Sequence, residues 1–143
     1  MTWGEIQIIA LQKMFAKDEP ISVDDLDKLK KDEDCQIYLD SMPAVANEAI
    51  QRIRPYAINL YEYNENKKKY EKVKLLKIDK DTSNDTIIEL PDDACVLIPL
   101  YIASQLYKDD DISQATSYRN EFEVGLQDLY INIENPTEVK EVF

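Results

Sequence analysis

The chain has no histidine, only two glycines, Gly4 and Gly125, and only two cysteines, Cys35 and Cys95, in 143 residues. Without histidine there is no Ser-His-Asp or Cys-His nucleophile system, and zinc would lack its usual nitrogen ligand. Two isolated glycines exclude a glycine-rich phosphate loop. Cys35 and Cys95 lie in apolar helical patterns, so each reads as a small buried hydrophobe rather than half of a disulfide or metal pair, and a reducing compartment fits best. Positive charge is scarce as well: 17 basic residues against 29 acidic ones leave −12 at neutral pH, which disfavours phosphate binding over the surface as a whole and favours solubility. No apolar run reaches the roughly 20 residues that span a bilayer. MTWGEIQ has neither a basic n-region nor a long apolar run, so neither a secretory signal nor a membrane anchor is expected.

What is present is a strong helical pattern. The stretch from Ala94 to Tyr107, ACVLIPLYIASQLY, is apolar all round when wound as a helix, with Ser104 and Gln105 as its only strongly polar side chains, and such a helix belongs in a core. Thr2-Trp3-Gly4-Glu5 has the form of a capping box and opens a helix over about 3–16. Pro20 closes it. Ser22 then caps a short charged segment, Asp24 to Lys31, expected on the surface. From about Asp34, Cys35, Tyr38, Leu39, Met42, Ala46, Ala49, Ile50 and Ile53 recur at three- and four-residue steps, predicting a helix over 34–54 that Pro43 kinks or splits and Pro55 ends.

Residues 56–90 break that period. Short runs over Ala57 to Tyr63, Tyr70 to Ile78 and Thr86 to Ile88, separated by polar turns, predict an antiparallel insertion of two or three strands. Leu90-Pro91-Asp92-Asp93 starts the central helix, about 92–108, with acids where the helix dipole favours them, and Pro99 is expected to bend it. Asp109-Asp110-Asp111 is a tight connection in which Asp110 or Asp111 caps the last helix, about 111–132, whose buried stripe is Ile112, Ala115, Arg119, Phe122, Leu126, Leu129 and Ile133. Asn135-Pro136 ends it before an extended tail within 134–143. The fold class is therefore mainly α: one domain, a bundle of about four helices with a small antiparallel β insertion and a C-terminal tail.

Chemistry is harder to find. Asp79 to Asp85 places oxygens at alternate positions as a calcium loop does, but Asn84 stands where that loop needs glycine and Leu90 where it needs a bidentate acid, so a strand-connecting turn is expected. No pair of carboxylates sits in an apolar setting that would raise one pKa. No catalytic residue, metal or cofactor is assigned. Lys67-Lys68-Lys69, beside Tyr70, reads either as a solvated tip or as a contact to an acidic neighbour or to DNA. Opposite the buried stripe of the last helix run Ser113, Ser117, Asn120, Val124, Gln127 and Ile131, with Asp128 the one ionised group near the centre. In a chain this charged, that face suits either the close approach of another subunit or a weakly polar surface. In the tail, Thr137, Val139, Val142 and Phe143 either dock on a partner or stay disordered.

Two segments, TWGEIQIIALQKMF with YLDSMPAVANEAIQRI, and LPDDACVLIPLYIASQLYKDDDISQATSYRNEFEVGLQDL, resemble small neck proteins of long-tailed phages and prophages of Firmicutes, the adaptor-type head-to-tail connectors. The matching parts cover about two thirds of the chain, mostly its helices, and the insertion at 56–90 has no counterpart. The resemblance implies a non-enzymatic virion protein, assembled in the host cytoplasm and located in the neck: a ring, generally of twelve copies, beneath the portal protein. There the helical core makes lateral contacts, the tail grips the portal, the next neck or tail protein follows, and DNA passes through without specific binding. An acidic channel wall would suit such passage, because a basic wall would hold phosphates. The alternative within the same setting is a tail-completion protein or an assembly chaperone.

Overall fold

A computed structural model describes residues 1–15, 22–58 and 61–134, and the side chains of 1–15, 22–58 and 61–129. Its elements are α1 (Trp3–Phe15), a 3-10 turn (Val23–Asp25), α2 (Leu26–Leu29), α3 (Glu33–Ala57), β1 (Tyr61–Asn64), β2 (Lys69–Lys72), α4 (Asp92–Cys95), α5 (Leu97–Leu106) and α6 (Ile112–Glu134). The protein is mainly helical with one two-stranded antiparallel sheet, and α5 is the axis on which α1, α3 and α6 pack.

Burial explains that placement. Ile98, Tyr101, Ile102 and Ala103 of α5 are fully buried, as a helix without a polar side requires. Tyr101 meets Phe122 of α6 at a ring-centroid distance of 5.0 Å, and its hydroxyl donates to Glu48 of α3 at 3.4 Å. Arg119 lies in the apolar stripe of α6 for a physical reason: its guanidinium stands 5.2 Å over the Tyr101 ring and 5.7 Å over Phe122, while Nε donates to Glu123 at 2.9 Å. The aromatic faces take the cation and the rim takes the charge. Tyr118 joins α6 to the end of α1 by donating to the Lys13 carbonyl at 2.6 Å. Gly125 faces the start of α5, where a Cβ would stand less than 3.0 Å from a Leu97 methyl, so a larger residue there would have to displace that side chain.

Several boundaries depart from the pattern. The stretch 92–108 is two helices, α4 and α5, separated at Val96, rather than one bent helix. Pro99 has no N–H to donate to Cys95, so the bond that would carry α4 into α5 does not exist. Val96, expected inside, is 45% exposed at that break. Conversely, α3 continues through Pro43 and past Pro55 to Ala57. Each proline removes one backbone bond, but Leu39, Met42, Ala46, Ile50 and Ile53 are buried along the same face, and tertiary burial outweighs the local loss. The charged segment after Ser22 is not wholly superficial, because Leu26 is fully buried. Ile112, expected in the buried stripe, is 71% exposed, since it opens α6 beside the exposed Asp109–Asp111 connection.

The insertion forms two strands, paired Tyr61 with Lys72 through Asn64 with Lys69. The run expected as a strand over Tyr70 to Ile78 leaves the sheet after Lys72, and side chains of α3 hold it instead. Arg54 donates to the Val73 carbonyl. Asn47 donates to the Ile78 carbonyl at 2.7 Å and accepts from the Ile78 N–H at 2.9 Å. Thr86 to Ile88 meets the start of the chain through an isolated bridge from Thr2 to Ile87. Gly4 lies against that return: its N–H donates to the Asn84 carbonyl at 2.9 Å, and a Cβ would crowd that oxygen and Val23 at 3.0 Å.

Asn47→Ala removes both bonds to Ile78 and leaves its partly buried backbone groups without their partner. The expected loss is about 1–3 kcal/mol in denaturant unfolding, with faster amide exchange confined to residues 73–79.

Candidate functional site

Caps and turns account for the acidic motifs. Glu5 and Thr2 form the expected capping box, with the Glu5 N–H donating to Thr2 Oγ1 at 3.2 Å and the Thr2 N–H to Glu5 Oε1 at 3.3 Å. Asp111 caps α6 by accepting from the Gln114 N–H at 3.0 Å. In the calcium-like stretch, Asp79 Oδ1 accepts from the Asp81 N–H at 2.8 Å, and Thr82 Oγ1 accepts from the Asp79 N–H at 2.9 Å, so these oxygens serve the turn. Ser22 holds the Asp25 carboxyl below its ordinary range, through its backbone N–H first and its hydroxyl second. Among the described residues no group of three His, Cys, Asp or Glu side chains could hold a metal, and no helix is long and apolar enough to cross a membrane. Cys35 and Cys95 are buried thiols, and burial pushes the Cys95 thiol up. The cavity lined by Ile50, Leu75, Leu76, Ile88 and Leu90 has about 10 Å³ of free space, room for one water and no metabolite.

The features that stand out are surfaces. Ser113, Ser117, Asn120, Val124 and Gln127 are all exposed along the outer side of α6, with Val124 57% exposed. The side chain of Ile131 lies outside the described residues, as do Thr137, Val139, Val142 and Phe143 of the tail. Ser117, Asn120 and Val124 border an open depression completed by Leu100, Gly125, Asp128 and Glu121. Glu121 is an addition to the sequence reading, so the face is uncharged along its stripe and acidic at its border.

A second surface is the β1–β2 ribbon. Its turn is built by Asn64, whose Oδ1 accepts from the N–H groups of Asn66 and Lys67 at 3.0 and 3.2 Å, and Lys68 takes a positive φ of 52°. The Asn64 amide, and after it Lys67, hold the Glu71 carboxyl below its ordinary value. Their support is present at neutral pH and is lost as pH falls through that lowered value. Alternation puts Tyr61, Tyr63, Tyr70 and Lys72 on one face. Tyr63 and Tyr70 pair edge to face at 5.2 Å, yet Tyr61, Tyr63 and Tyr70 remain 60%, 52% and 72% exposed. The period-two tyrosines at 61 and 63 were the signal for this face.

A third surface is a groove between the start of α3 and the α5–α6 connection, lined by Glu33, Asp34, Ile37, Tyr38, Leu106, Asp109 and Asp110. Ile37 is 72% exposed. It lies off the buried stripe of α3, a position the sequence reading did not single out.

Comparison with family models, curated proteins and solved structures gave no match to this chain.

Proposed function

We propose that the protein is a non-enzymatic structural component of a phage neck, a head-to-tail adaptor that forms a ring beneath the portal. Copies of the chain, the portal and the next neck or tail protein are its partners. The observation that carries this reading is the outer face of α6, an uncharged polar stripe with Val124 in the open, on a chain of net charge −12. Such a face can approach another subunit without burying unpaired charge. The resemblance of the helical segments to neck proteins supports the same reading. A strongly acidic surface would let DNA pass without phosphate binding.

Quantitative protein analysis of purified particles of the phage or induced prophage that encodes the chain tests this. It should be present in a fixed ratio to portal. Presence only before maturation, followed by loss from finished particles, would instead favour an assembly chaperone.

A further inference from the structure

Charge is distributed unevenly along the chain. Residues 67–77 hold six lysines against one glutamate, a net of +5, which leaves −17 on the rest of a chain whose total is −12. Only part of that basic segment is ribbon: residues 61–72 hold four lysines against three glutamates, a net of +1. Tyr61, Tyr63, Tyr70 and Lys72, however, share a face that carries no carboxylate, Glu62 and Glu71 being paired on the other, and its three tyrosines are more than half exposed. Three exposed aromatic rings on one face are the composition of an interface rather than of a solvated turn, and the lysines beside them give that face its sign. The groove beside α3 has the opposite character, with four carboxylates from Glu33, Asp34, Asp109 and Asp110 around the exposed Ile37.

These surfaces lie at opposite ends of one helix. Arg54, in the last turns of α3, donates to the carbonyl of Val73, directly after β2, so the ribbon is based at the C-terminal end. Ile37 lies near the N-terminal end. The 20 residues from Ile37 to Ala57 span about 30 Å at the helical rise. A ribbon with strands of four residues reaches about 13 Å, too short to return to the groove of its own chain.

We propose that the tyrosine–lysine face of the ribbon docks in the acidic groove of a second copy. The contact deepens the adaptor reading, on which it rests for its closure into a ring. Because the two patches differ, each bound copy still offers one ribbon and one groove, so the contact is head-to-tail and propagates until it closes. Lysines meet carboxylates, and tyrosine rings cover Ile37 and Leu106. DNA is the weaker fit, because −17 on the remainder of each copy repels phosphate.

Reciprocal charge reversal followed by sedimentation tests the contact. Lys68→Glu with Lys72→Glu alters the ribbon, and Asp109→Lys with Asp110→Lys alters the groove; all four side chains are exposed, and none makes the side-chain bonds among Asn64, Lys67 and Glu71 or the Asp111 cap. Each reversed pair should raise the concentration for half-assembly about tenfold or more, as like charges replace complementary ones. The chain carrying both pairs should recover assembly, with circular dichroism unchanged throughout. Wild-type assembly unmoved by either pair, no recovery in the combined chain, or a wild type that stays monomeric at low salt would each overturn the contact. A labelled oligonucleotide bound by wild type and lost with the ribbon pair, while the groove pair leaves self-association intact, would also overturn it and assign the ribbon to nucleic acid. The adaptor reading is judged separately, by the content of purified particles.

Discussion

Phe122→Ala should destabilise the isolated chain by about 3–5 kcal/mol in equilibrium denaturant unfolding. Phe122 is fully buried and joins α6 to α5 through Tyr101. Truncation removes the ring, leaves a cavity beside the central helix and strips the Arg119 guanidinium of one of its two aromatic faces. Against a total stability of roughly 5–15 kcal/mol, that loss takes a large share. Phe122→Leu, which retains most of the volume, should cost clearly less. Equal losses for the two variants would mean that the cavity is not the cause. No measurable loss from Phe122→Ala would mean that α6 does not depend on this junction.

The second large effect is on assembly. Asn120→Lys combined with Val124→Glu places two charges on the exposed stripe of α6 and should abolish ring formation with the portal while leaving unfolding within about 0.5 kcal/mol of wild type, as expected for exposed surface positions. Both side chains are exposed, so the folded monomer loses no core contact. In a subunit contact the two charges, one helical turn apart and able to pair only with each other, would be desolvated at several kcal/mol per ion, which a single surface-type pair repays only in part. Electron microscopy of the portal mixture reads the first outcome and a denaturant curve the second. Rings that form normally would remove the α6 face from the contact.

The helices were legible where pattern and cap agree. Thr2 and Glu5 mark the start of α1, Asp111 marks the start of α6, and the three- and four-residue recurrence in α3 traces its buried face. The discrepancies come from prolines and from residues whose fate depends on distant neighbours. Pro43 and Pro55 are tolerated because α3 is held by burial along its length, whereas Pro99 prevents the single backbone bond that would have joined α4 to α5. Leu26 is buried and Ile112 is not, the reverse of what the pattern predicts, because only the fold decides which elements cover each. The same limit applies to the surfaces. The uncharged stripe at Ser117, Asn120 and Val124 was visible as composition. The Ile37 groove was not, because Asp109 and Asp110 are more than 70 residues from Ile37 in sequence and meet it only in the folded bundle.

Cryo-electron microscopy of the purified chain mixed with a portal protein of the proposed phage tests the proposed adaptor role most directly. The predicted image is a closed ring of copies beneath the portal, with α6 at subunit contacts and an open central channel. A portal with no added density, beside a chain that remains monomeric, would contradict it.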